Sequence, residues 1–209
     1  MNAFFPAIDK QRLAGLQDGV YGFAMTLLVL ELKLPALSSA LSDAALWSAL
    51  GSLWPKLLTW LLSFCVLALF WIGDVRTASS LRIVDASLLR VSLARLALVS
   101  LLPFSTAVIG EYGDHVAGAA LYAGHLCLFS GTQVIRHRYL IARPALSTGR
   151  GAGAFKASGR AAQTALACTA AAFGLAFVVP GYNMLALLPL LVAPGLRRAT
   201  IRRQRDNAS

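Results

Sequence analysis

Few side chains in the apolar stretches of this sequence could do chemistry: Asp18, Glu31 and His125, and the three cysteines Cys65, Cys127 and Cys168. An enzyme needs a nucleophile beside a base, or two acids facing one substrate pocket, and these residues form no such set. The cysteines lack metal-ligand spacing and read as buried reduced thiols. His115, His125 and His137 fall in three different segments, so no metal cluster is expected, and His125 reads best as a hydrogen-bonded core histidine. What remains is the chemistry of charge in an apolar medium. An ionisable group at membrane depth faces a bundle interior or an aqueous path, whereas one near the interface reaches water. Glu31, beside Lys33 near one end of its segment, belongs to the second kind. Asp18, six residues and nearly two helical turns after Arg12, can pair either with Arg12 or with a group of another span.

The elements that must position Asp18 follow from composition. Of 209 residues, 57% are hydrophobic and 13% charged, and the mean hydropathy is +0.67, values that place the chain among membrane proteins. About 20 residues cross the hydrocarbon as a helix, which predicts spans near 13–34, 52–74, 87–110, 117–136, 159–180 and 182–198. The net charge of +10 does not point to nucleic acid, because the basic residues lie between the apolar runs instead of on one folded face. They fall on alternate connections: Arg76, Arg82 and Arg90 on the second; Arg136, Arg138, Arg143, Arg150, Lys156 and Arg160 on the fourth; Arg197, Arg198, Arg202, Arg203 and Arg205 in the tail. The positive-inside rule then puts both termini in the cytoplasm. The expected fold is an all-α polytopic membrane protein with six transmembrane helices in one domain over 1–205. It includes a cytoplasmic connection at 143–158 and is followed by a basic tail at 199–209. A five-span arrangement with a re-entrant last segment is the alternative. No small-residue cleavage site follows the first run, so it reads as an uncleaved span and not as a signal peptide.

On that first span, helical periodicity puts Phe23, Thr26, Leu27 and Leu30 on one stripe with Gly19 and Gly22 near one end. Periodicity allows two readings: a packing face, or the wall of a pore, since rings of apolar side chains can gate by dewetting. Thr26 can hydrogen-bond to the carbonyl four residues earlier, so its hydroxyl need not face water.

The stretch RLAGLQDGVYGFAMTLLVLELKLP, Arg12 to Pro35, resembles the first span of the bacterial branch of the transmembrane protein 175 family of potassium channels. That family carries an arginine, an aromatic-serine-aspartate-glycine signature and a threonine-leucine-leucine run. The resemblance continues in LLSFCVLALFWIGD, at Ser63, Phe64 and Trp71, and in VDASLLRVSLARLALVSLLPFSTAVIGEY, at Asp85 and Pro103-Phe104-Ser105-Thr106. It implies a homotetrameric potassium channel whose first helices surround the axis and whose pore is narrowed by apolar side chains. The implied pore-lining or constriction residues are Phe23, Thr26, Leu27 and Leu30, with Phe23 standing where isoleucine is usual. Nothing resembles the carbonyl-filter sequence TVGYG of ordinary potassium channels.

The resemblance also implies a polar support network of Arg12, Gln17, Asp18, Trp71, Asp74 and Arg95. Here Gln17 replaces a serine, Asp74 a histidine and Ser92 an asparagine. Asp18 and Asp74 repel unless a base intervenes, and Arg95 either pairs with one of them or snorkels to the interface. The implied partners are potassium ions, which occupy the pore only transiently, membrane lipid and other copies of the chain, with no cofactor, no bound metal and no nucleic acid. Two competitors remain. A secondary transporter would show inverted repeats and broken helices, and no repeat is evident. A non-conducting assembly protein would use small-residue faces such as Ala161 to Ala172 for close helix approach.

Overall fold

Helices account for nearly the whole structure, a computed structural model that describes residues 9–33, 42–148 and 152–191. Helix α1 (Lys10–Leu27) opens on Asp9, whose carboxylate accepts the Gln11 amide, and passes into a tighter 3-10 turn at Leu28–Glu31. The side chain of Ser42 caps a short α2 (Asp43–Ser52). Helix α3 (Trp54–Ser79) follows, with Pro55 in the first turn, where its missing N–H leaves no bond unmade. Asp85 starts α4 (Ala86–Tyr112) by accepting the Leu88 amide at 2.8 Å. Then come α5 (Val116–Ala142), α6 (Ala152–Leu175) and a 3-10 stretch, Asn183–Leu187.

Three helical segments, Lys10–Glu31, Trp54–Ser79 and Ala86–Tyr112, are long and apolar enough to cross a membrane. The predicted spans at 52–74, 87–110 and 117–136 coincide over most of their length with α3, α4 and α5. Helix α5 runs on to Ala142 and so carries Arg136 and Tyr139 on a helix, not in a connection. Helix α6 begins inside the predicted connection 143–158 and ends at Leu175, before the predicted limit of 180. The turn at Pro180-Gly181 is present, with Gly181 at φ +86°, a conformation open to glycine. Helix α2 fills part of the first connection, where no helix is predicted. Of the last predicted span only the part up to Leu191 is described; the tail at 199–209, with Arg197 and Arg198 before it, lies outside the described residues, as do Pro35 and Arg150.

The core is a seam in which Tyr21 and Ala24 of α1 and Leu28 of the 3-10 turn meet Val66 and Leu67 of α3, Leu96, Val99 and Leu102 of α4, and Tyr122, Leu126 and Phe129 of α5. A second apolar cluster lies where α1 begins: Leu13, Leu81, Val84, Leu88, Leu89 and Leu140. There the two connections are stitched together by backbone bonds, Arg82 N–H to Leu146 O at 2.8 Å and Thr148 N–H to Ser80 O at 2.9 Å. Helix α6 lies on α5 through Ala162, Ala165, Thr169 and Ala172, all buried. Close approach through small residues is the property read from the Ala-rich run. The α4–α5 turn is equally tight: a side chain at Gly118 would meet the Tyr112 carbonyl oxygen at 2.3 Å.

Candidate functional site

Period and chemistry divide α1 into two faces. Leu13, Gln17, Tyr21, Ala24 and Leu28 recur at three- and four-residue spacing and are buried, as one stripe of a helix packed on its neighbours must be. The opposite stripe, Arg12, Gly15, Gly19, Gly22, Phe23, Thr26 and Leu30, is exposed, with Phe23 at 67% and Leu30 at 60%. Leu27 is half-buried between the two. Side chains added at Gly15, Gly19 or Gly22 would meet nothing within 4 Å. Of the four predicted pore residues, the structure therefore brings Phe23, Thr26 and Leu30 to one open face, with Leu27 at its edge. The Thr26 hydroxyl donates to Phe23 O at 2.8 Å, three residues back and not the predicted four. Its proton is thereby used, which leaves the oxygen as an acceptor.

Two hydrogen bonds tie the other side of α1 to α3. Trp71 Nε1 donates to Asp18 Oδ1 at 2.8 Å, and the Tyr21 hydroxyl donates to Asp74 Oδ2 at 2.8 Å. Asp74 Oδ1 accepts from Arg95 Nη2 at 2.8 Å and from Arg136 Nη2, so one buried carboxylate joins α1, α3, α4 and α5. Arg95 is 1% exposed, which settles its alternatives: it pairs with Asp74 and neither snorkels nor reaches Asp18. Its Nη1 donates to Thr132 Oγ1 at 2.8 Å and Phe129 O at 3.2 Å, and its guanidinium lies 4.2 Å from the Phe129 ring centre. The two acids avoid repulsion by taking different partners, an indole N–H for Asp18 and two guanidinium groups for Asp74.

Two members of the predicted network stand apart. Arg12 is exposed, with no hydrogen bond or ion pair among the described residues. Gln17 is buried, and its side chain makes no hydrogen bond among the described residues. Conversely, Tyr21 and Arg136 belong to the network and are absent from the sequence reading. Tyr21 continues the Leu13–Gln17 stripe by four residues, a signal that was available; Arg136 opens a run of bases that reads as a connection. Asp85 is a smaller hub, accepting from the Tyr139 hydroxyl and, at 3.3 Å, from Arg143. His125 is the hydrogen-bonded core residue predicted: Nε2 donates to Leu98 O at 2.9 Å and Nδ1 faces Ser105 Oγ at 2.7 Å. Cys65, Cys127 and Cys168 are free thiols, half-buried and not fully buried, because each sits at the margin of its helix's packed face.

Residues 12–103 match the family model described as endosomal/lysosomal potassium channel TMEM175. A potassium channel of Streptomyces collinus is 35% identical over 120 residues, which cover 55% of this chain and 56% of that protein. A potassium channel of Chamaesiphon minutus is 36% identical over 119 residues, 56% of this chain and 58% of that one. The chain thus aligns with little more than half the length of these curated relatives. Over 90% of this chain and 97% of the other, the fold superposes with a TM-score of 0.77 and 26% identity on the crystal structure of a lysosomal potassium-selective channel TMEM175 homolog from Chamaesiphon minutus.

Proposed function

We propose, from the match of residues 12–103 to the TMEM175 family model and the likeness to bacterial potassium channels, that the chain belongs to that family and is a passive, potassium-preferring cation channel. Four copies surround an axis lined by α1. Each copy crosses the bacterial inner membrane six times with both termini in the cytoplasm. Phe23, Leu27 and Leu30 form successive apolar layers of the pore, and Thr26 turns its hydroxyl oxygen toward it. A family of conducting proteins leaves no catalytic step to assign.

The observation that carries this reading is the composition of the exposed α1 face. A lipid-facing stripe is continuously large and apolar, whereas this one mixes Arg12, three glycines and Thr26 with Phe23 and Leu30. Polar and small residues suit a water-filled path, and bulky apolar ones suit a constriction that excludes wide hydrated states. The easier dehydration of the larger cation gives part of the preference for potassium. Trp71–Asp18 and Tyr21–Asp74 act on this pore from behind, holding the rotation of α1 about its own axis.

The test is flux in vesicles containing the purified protein. A potassium gradient drives electrogenic flux without a second solute, and Phe23→Ala raises it by widening the narrowest layer. Absence of flux in both folded proteins over a range of voltage would favour the assembly protein, and strict coupling to another solute would favour a transporter.

A further inference from the structure

Behind α1 the charges do not balance. Among the described residues Asp74 is the only carboxylate paired with Arg95 and Arg136, whose side chains are 1% and 3% exposed, so this buried cluster carries one net positive charge. Guanidinium stays protonated at any accessible pH, and a buried charge without a counter-charge is costly. Beside Arg136 lies a cavity of about 10 Å³ lined also by Lys10, Gln17 and Ser92, with Leu13, Ala78, Leu81, Val84 and Leu88 as apolar walls. That is room for a single small occupant. Gln17 and Ser92 are 6% and 2% exposed, and neither side chain has a hydrogen-bond partner among the described residues. Every polar side chain around the cavity is a cation or can donate a hydrogen bond, and no carboxylate lines it.

We propose that this cavity is a binding site for a small monovalent anion of the halide class, held by Gln17 Nε2–H, the Ser92 hydroxyl and the positive charge of Arg136 and Lys10. The anion neutralises the excess charge of the Asp74 cluster. Water can also accept from the two donors, but it brings no charge to offset the excess. The site is independent of whether the pore conducts.

The experiment is thermal unfolding of the full chain in detergent, in potassium chloride, potassium bromide and potassium gluconate at equal ionic strength. Chloride and bromide raise Tm saturably over gluconate, by about 3–6 °C at ten times the half-saturating concentration. In Gln17→Met combined with Ser92→Ala the rise is lost, while Tm in gluconate stays within a few degrees of the parent. Equal Tm in the three salts overturns the proposal and leaves the cavity to water. A halide response that survives in the double variant also overturns it, by placing the anion elsewhere. Should the double variant fail to fold, the parent's bromide-loaded crystal decides: an anomalous peak among Gln17, Ser92 and Arg136 supports the site and its absence rejects it.

Discussion

Asp18 on α1 and Asp74 on α3 both tie these two helices together, yet they do so in different ways. Asp74 compensates two arginines in a medium where neither can be solvated, so Asp74→Asn leaves two buried cations with a neutral partner. The expected loss is about 3–5 kcal/mol, read as a shift in chemical unfolding followed by circular dichroism. Asp18→Asn keeps an oxygen to accept the Trp71 N–H at an exposed site, and the expected change stays below about 1.5 kcal/mol. Removing Asp18 entirely, as in Asp18→Leu, frees the indole and lets α1 rotate, so flux changes more than stability. Such a split between conduction and unfolding would separate a positioning role from a structural one. Phe23, whose side chain is 67% exposed, is the mirror case: its replacement acts on flux, with little effect on the fold of one copy.

At the scale of elements, α4 is the most constrained, since Asp85 caps its first turn and also receives Tyr139 and Arg143 from α5 and the residue after it. Asp85→Ala removes the cap, an effect of about 1–2 kcal/mol, and loosens the junction between the two connections. Amide exchange in Leu88 and Leu89 accelerates, while exchange near Ile109, far along the same helix, does not. The long apolar helices were legible in the sequence because length and hydropathy fix them without knowledge of neighbours. Helix α2 was not, because ten residues in a connection leave no long apolar signal. Nor was the extent of α5, because Arg136 ends the apolar run and only its pairing with Asp74 across four helices makes a buried arginine there acceptable. The stripe of Phe23, Thr26 and Leu30 was legible from the 3.6-residue period, and Leu27, half-buried, falls at its margin.

For the molecule as a whole, the central expectation is that α1 faces α1. In a background lacking Cys65, Cys127 and Cys168, Phe23→Cys forms covalent pairs under mild oxidant. Leu128→Cys, 65% exposed on α5, does not. Pairing by Leu128→Cys and not by Phe23→Cys would place α5 at the axis and remove α1 from it. The charge pattern of the connections bears on the same question. The backbone bonds joining Ser80 and Arg82 to Leu146 and Thr148 put the second and fourth connections at one end of the bundle, as an even number of intervening crossings requires. The Lys56–Glu111 pair, at 2.5 Å, joins α3 to the far end of α4.

The change from α to 3-10 geometry at Leu28 also fixes how the outer part of α1 is counted. Successive residues turn by about 100° in an α-helix and about 120° in a 3-10 helix, so over the three steps from Leu27 to Leu30 the difference is about 60°. Leu30 therefore stands over Leu27 on the circumference instead of falling short of it. In the proposed tetramer the two leucines then form one collar two side chains deep, and the expected outcome of shortening either is the same widening of the passage.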